Sequence, residues 1–172
     1  MLAIHPHSIS YKHRRLLSLR PPHVPLLPLQ PILRRIVQHV ARQNPALFAR
    51  LGKHQTARYL VDAKGLPFML LLCPDPAHPQ LQAVHRTQTP PHDACITGKL
   101  ADLLCLIDGS GDGDALFFSR DLGVTGNIEA VVCLRNALDD VEKSIAAQVA
   151  DLFGTPGRII LAAVRSNGKA ER

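Results

Sequence analysis

The run Asp108-Gly-Ser110-Gly-Asp112-Gly113 places oxygens at positions one, three and five of a loop with glycine at six, which is how a twelve-residue calcium loop begins. Such a loop closes only when position twelve supplies a bidentate carboxylate, and here that position is Ser119. Calcium is not expected, and the run reads as an acidic helix connection. Nor do the same glycines make a phosphate cradle, because Asp108, Asp112 and Asp114 would repel the anion and no Gly-Lys-Ser/Thr follows. No Gly-x-Ser-x-Gly elbow and no His-Glu-x-x-His pair occurs, and His39, His54, His78, His85 and His92 lack ligand spacing. Asp139 and Asp140 fall on an expected helix surface, where a solvated face is the simpler reading than an acid–base dyad. Cys73, Cys95, Cys105 and Cys133 lie apart in apolar segments with no Cys-x-x-Cys, so they are expected to be buried, reduced core residues of a cytosolic protein. With no catalytic constellation, no metal set and no cofactor motif, the sequence points away from an enzyme.

The bulk properties narrow the class further. At 172 residues and 46% hydrophobic, the chain can build one domain with a real core. Aromatics are 4% and tryptophan is absent, so that core must be aliphatic and suits aliphatic partners. No apolar run approaches the ~20 residues needed to cross a bilayer; the densest, Leu66 to Cys73 and Ile159 to Val164, are too short. The net charge of +6 is unevenly spread: Met1 to Val61 holds ten Lys and Arg and no acid, whereas 14 acids face ten bases from Asp62 onward. Prolines interrupt the Leu-rich part from Pro21 to Pro31, which leaves no signal-peptide core. Acid-free leaders can be transit peptides, nucleic-acid arms or contacts to anionic membranes, but residues 1–30 read first as a basic, Pro-rich, flexible leader, and no nucleic-acid partner is expected.

Beyond the leader the elements become legible. From Pro31, Ile32, Leu33, Ile36, Val37, Val40 and Ala41 recur at helical spacing opposite Arg34, Arg35, Gln38, His39 and Arg42, which predicts a cationic amphipathic helix. Arg34, Arg35 and Arg42 are then candidates for contact with an anionic membrane, with the stripe Ile32, Ile36 and Val40 inserting shallowly. Asn44-Pro45 predicts an N-cap and first turn for a short helix ending at Gly52. Strands are expected at Arg58 to Asp62, at Leu66 to Cys73 after a turn at Ala63-Lys64-Gly65, around Leu81 to His85, and at Asp93 to Gly98. Leu100, Leu103, Leu104 and Ile107 make a helical face, Asp114 to Phe118 a helical turn, and Leu122 to Gly126 a last strand. Asn127 is expected to cap a helix that turns Ile128, Val131, Leu134, Leu138 and Val141 inward. Ile145 to Phe153 repeats the pattern with Val149 and Leu152, and Gly154-Thr155-Pro156-Gly157 interrupts it before Ile159 to Val164. The expected fold is α+β: one domain over residues 31–153, with roughly five strands in a mixed or antiparallel sheet backed by helices on one face. A helical extension or tail is expected over residues 154–172.

Two segments carry a resemblance. Asp93-Ala94-Cys95-Ile96-Thr97-Gly98 followed by a Leu-rich helix resembles the step from strand to helix in the sterol-carrier-protein type-2 superfamily. Asp114-Ala-Leu116-Phe117-Phe118-Ser-Arg120-Asp-Leu122-Gly-Val124-Thr-Gly126-Asn127-Ile128-Glu129, with Asn136 and Asp139 beyond, is similar to the UbiT-type accessory factors of oxygen-independent ubiquinone biosynthesis, although Asn127-Ile128 stands where those have Asp-Thr. The resemblance implies a non-enzymatic, cytoplasmic lipid-binding domain with an apolar cavity, peripheral to the inner membrane at most. Its ligand would be a lipid or prenylated quinone precursor, its partners the ubiquinone-biosynthesis enzymes, and its cavity lining Ile96, Leu103, Leu104, Phe117, Phe118, Val124, Val131, Leu134 and Leu138. The alternative is an adaptor that binds membranes or proteins through its basic helix and encloses no ligand.

Overall fold

The computed structural model describes residues 25–108 and 122–170, with side chains to residue 166. The basic leader up to residue 24, the glycine-aspartate loop after Asp108 and the helical turn expected at Asp114 to Phe118 lie outside the described residues. Helix α1 (Leu29–Gln43) is followed by α2 (Pro45–Arg50) and a 3-10 turn at Gly52–His54. Strands β1 (Tyr59–Lys64), β2 (Phe68–Cys73), β3 (Gln80–His85) and β4 (Ala94–Lys99) lead into α3 (Leu100–Asp108). Strand β5 (Gly123–Gly126), α4 (Ile128–Asp139), α5 (Ile145–Leu152) and α6 (Gly154–Ala170) follow among the described residues.

The five strands form one mixed sheet in the order β3-β2-β1-β4-β5, in which only β1 and β4 run parallel. Alternation puts Tyr59, Val61 and Ala63 of β1 on one face, with Leu72 of β2 and Ile96 of β4 beside them, and helices α2, α3 and α4 lay Leu47, Leu51, Leu103, Val131 and Leu134 against that face. The expected α+β sheet with helices on one face is the observed fold. A smaller cluster joins Leu26 and Leu33 to Ala83 of β3, so α1 sits over the opposite end of the sheet. There the side-chain amide of Gln30 donates to the Ala83 carbonyl at 2.8 Å and accepts from the Ala83 N–H at 3.3 Å, occupying both outward backbone groups of that residue on the edge strand.

Several local expectations need correction. Ala63 and Lys64 are not a turn but the end of β1, because parallel pairing with Gly98 and Lys99 carries the strand two residues further; Gly65, at φ +95°, makes the turn. Arg86 fastens it, donating to the carbonyls of Leu66 and Ala63 at 2.8 Å each and pairing with Asp62 at 2.7 Å. Asn44 does not cap α2 through its side chain; its amide donates to the Val40 carbonyl and to Gln148 of α5, tying the first helices to the C-terminal ones. Pro156 does not interrupt a helix. It stands in the first turn of α6, where a missing N–H costs nothing, and Gly154 at φ +65° turns the chain from α5 into α6. All four cysteines are free, but each is half-buried rather than buried.

Helix α6 is held by more than chain continuity. Asp108, at the end of α3 and largely shielded, accepts from Ser144 and pairs with Arg165, while Ser144 also caps α5 by accepting from the Ala147 N–H at 3.1 Å. Gly157 permits close approach, since a Cβ there would lie 2.3 Å from the Ala150 carbonyl oxygen. One carboxylate and one glycine thus lock α3, α5 and α6 together.

Candidate functional site

The sheet–helix interior is where most of the expected lining residues meet. Ile96 on β4, Leu103 on α3, and Val131 and Leu134 on α4 are buried in one cluster, with Val124 of β5 and Leu138 of α4 packed against it. Leu104 is half-buried and is not a member of that cluster, because α3 turns Leu103 and Leu106 inward instead. Phe117 and Phe118 lie outside the described residues. The phase of α4 departs from expectation as well. Its buried line is Ala130, Val131, Leu134 and Ala137, and the two alanines let the helix sit close to the sheet, so Ile128 turns outward and is 57% exposed. Val141 lies beyond the end of α4 and still packs against the core.

Helix α4 begins where the sequence places it. Asn127 accepts from the Ala130 N–H at 3.0 Å through its side chain and donates its own N–H to the Asp93 carbonyl at 2.8 Å. Asp93 in turn holds β1, accepting from the Arg58 N–H at 2.8 Å through its carboxylate and donating its own N–H to the Arg58 carbonyl at 2.9 Å. The turn that joins β5 to α4 is thereby fixed to the start of β1 and β4.

Among the described residues the buried side chains that carry polar groups include Tyr59, His54 and Asp102 of α3, none of which the sequence marks as a site. Tyr59 is fully buried, and its hydroxyl donates to the Ala130 carbonyl at 3.2 Å. Burial, reinforced by the nearby Cys133, Asp93 and Cys73, pushes its phenol well above the usual tyrosine range, so it stays protonated. His54 is buried too, with Nε2 3.7 Å from Glu129 of α4. Lys53 completes the group at 2.8 Å from the same carboxylate, and its hydrogen bond and charge hold Glu129 below the ordinary carboxylate range. The only sequence signal for this pairing was Glu129 in the first turn of a helix; its partners come from the 3-10 turn, distant in the chain.

Chemically, the interior is an aliphatic layer bordered by a phenol, an imidazole and an ion pair. Among the described residues no three His, Cys, Asp or Glu side chains gather as a metal site. Asp139 and Asp140, the adjacent carboxylates, are separately engaged, with Arg135 at 3.5 Å and with Arg50. On α1, Arg34, Arg35 and Arg42 are exposed. The stripe expected beside them is not free to insert: Ile36 and Val40 pack against the two core clusters, and only Ile32 faces outward. No helix among the described residues is long and apolar enough to cross a membrane.

Comparison with known proteins addresses the same fold. The family model of the SCP-2 sterol transfer family matches residues 36–139. Among solved structures, the chain is similar to a UbiJ-SCP2 ubiquinone synthesis protein, with 21% identity and a TM-score of 0.52 over 67% of this chain and 93% of that one. It is also similar, at 15% identity and a TM-score of 0.44, to the apo form of sterol carrier protein 2 from Yarrowia lipolytica, over 64% of this chain and 86% of that one. Sterol carrier protein domain 2 of Helicoverpa armigera gives 15% identity and a TM-score of 0.44 over 69% and 91%. No curated protein matches the sequence significantly. The match runs from the middle of α1 to the end of α4, taking in the whole of the sheet and the helices that line its covered face, and on it the chain belongs to the SCP-2 sterol transfer family.

Proposed function

We propose that this protein is a non-enzymatic lipid carrier whose sheet–helix interior shelters a long aliphatic chain, and that its cargo is a polyprenylated ubiquinone precursor presented to modifying enzymes in the cytoplasm. The observation that carries the reading is the convergence of Ile96, Leu103, Val124, Val131, Leu134 and Leu138 on one aliphatic layer in a sterol-transfer domain. Each methylene of a prenyl chain costs about 0.8 kcal/mol to expose to water, so passage of such a lipid between enzymes needs an apolar enclosure. The similarity to a ubiquinone synthesis protein supports the choice of cargo class. Native mass spectrometry of the protein purified from its own source, with lipid extraction, should show a stoichiometric prenylated species. Leu134→Trp should reduce that species while the protein still unfolds cooperatively near the wild-type midpoint, since a hollow accepts added volume. An overpacked core would instead lose about 1–3 kcal/mol. Severe destabilisation with unchanged lipid content defeats the carrier reading.

A second reading is favoured by the exposed basic face of α1, namely that Arg34, Arg35 and Arg42 hold the protein against anionic membranes as a peripheral adaptor. Each arginine near such a surface contributes about 1 kcal/mol within a Debye length. Arg34→Glu plus Arg35→Glu should abolish salt-sensitive sedimentation with anionic vesicles; unchanged sedimentation removes this role and leaves the carrier intact.

A further inference from the structure

Two adjacent leucines part company at the entrance to α1. Leu26 is buried with Leu33 and Ala83, and its carbonyl accepts from the N–H of Leu29 at 3.1 Å and of Gln30 at 3.3 Å, which fixes the turn. Leu27, the next residue, is 85% exposed. Pro25 precedes the pair, and Pro28, at φ −68°, restricts the backbone of Leu27 before it. A seated neighbour and two prolines thus hold an apolar side chain out in water. Pro28, Pro31 and Ile32 are exposed in the same stretch, so the N-terminal end of α1 is an apolar tip, and Arg34 and Arg35 follow within one turn.

We infer that this tip is a wedge that enters the headgroup region of an anionic lipid surface, with Leu27 leading, so that α1 meets the surface by its N-terminal end and does not lie along it. The inference rests on the peripheral reading of α1 given above and names the part of the helix that enters. Charge selects the occupant: Arg34 and Arg35 are exposed, no Asp or Glu precedes Asp62 in the chain, and among the described residues no ion pair engages either arginine. Size sets aside a protein partner, since two large side chains, Leu27 and Ile32, fall far short of the roughly 20 residues a side that a stable interface enlists. A shallow insertion needs only a short apolar element flanked by basic residues. Distance then separates the arginines. Arg42 stands about 12 Å along the axis from Arg34 at 1.5 Å per residue, beyond the Debye length of about 8 Å at physiological salt. An end-on contact therefore draws on Arg34 and Arg35 and little on Arg42.

The chain contains no tryptophan, which makes Leu27→Trp a lone reporter in the full-length protein. With vesicles of phosphatidylcholine plus phosphatidylglycerol its emission should shift to the blue, and with phosphatidylcholine alone it should not. Leu27→Ser should weaken binding to the mixed vesicles roughly tenfold, the effect of leaving one leucine without its apolar seat, while the melting temperature stays unchanged, as expected for an exposed position. Arg34→Glu should weaken binding by about tenfold or more and Arg42→Glu by less than about threefold. Wild-type protein that ignores the mixed vesicles removes the peripheral reading and this inference with it. Vesicle binding without a blue shift, or with Arg42→Glu as damaging as Arg34→Glu, leaves that reading standing and overturns the end-on wedge. So does light scattering that shows a wild-type dimer dissociated by Leu27→Ser, which would assign the tip to a second copy.

Discussion

Gly126→Ala should lower the stability of the protein by about 3 kcal/mol or more, measured as a shift in the denaturant midpoint at unchanged slope. Two costs combine at this position. The residue has φ +82°, a left-handed conformation that a side chain resists by about 1–2 kcal/mol. A Cβ would also lie 2.3 Å from the Asp93 carbonyl oxygen and 3.1 Å from the Cα of Ala94. Neither atom is free to retreat, because Asp93 is bonded to both Arg58 and Asn127 and Ala94 pairs with Tyr59 in the sheet. Gly65 supplies the control: its φ is +95°, yet nothing lies within 4 Å of its absent Cβ. Gly65→Ala should therefore show the backbone cost alone. Equal losses at the two sites would mean that the close approach of β5 to β4 at Gly126 is unimportant.

Tyr59→Ala should cost about 3–5 kcal/mol, the range for removing a large aromatic from a packed core. Tyr59 has the largest of the fully buried side chains, and it joins β1 to the first turn of α4. Tyr59→Phe separates the ring from the hydroxyl and should cost only about 1 kcal/mol near neutral pH, through the lost bond to Ala130. The pH dependence then follows from the raised phenol pKa. Below the unfolded-state value of about 10 the phenol is neutral in both states and its contribution is fully present. As pH rises past that value the unfolded chain releases the proton and the folded chain keeps it, so stability falls until the folded phenol also ionises. Wild-type protein should lose stability above pH ~10 by a component that Tyr59→Phe lacks. Parallel alkaline profiles for the two proteins would contradict this account.

The parts legible in the sequence are those governed by local chemistry. Asn127 announces a cap because a short polar side chain directly before an apolar-periodic run has few other uses, and the Leu66 to Cys73 run, bounded by prolines, leaves little but a strand. The parallel partnership of β1 and β4 was not legible, since it joins segments about thirty-five residues apart through backbone groups that every residue carries. For the same reason Ala63 and Lys64 have the local character of a turn although they continue β1. The inward phase of α4 is not legible at Ile128, because hydrophobicity alone ranks isoleucine above alanine, whereas close helix–sheet packing selects the small residue. Of the candidate lining, Leu103 and Leu104 could not be separated by periodicity, and only the tertiary setting of α3 decides between them. His54 and Tyr59 gave no signal, being single polar residues in otherwise ordinary segments.

The Gln30 amide on Ala83 constrains how α1 can be used. An uncovered strand edge is a template on which another chain can grow, and here one side chain imitates the next strand and occupies the position. Lifting α1 from the body would uncover Leu33 and Val37 and also offer a hydrogen-bonding rim to any neighbouring molecule, the first step of fibre growth. Whatever α1 touches, it must touch with its outward side while remaining seated, so a swinging lid is a role for which this helix is unsuited.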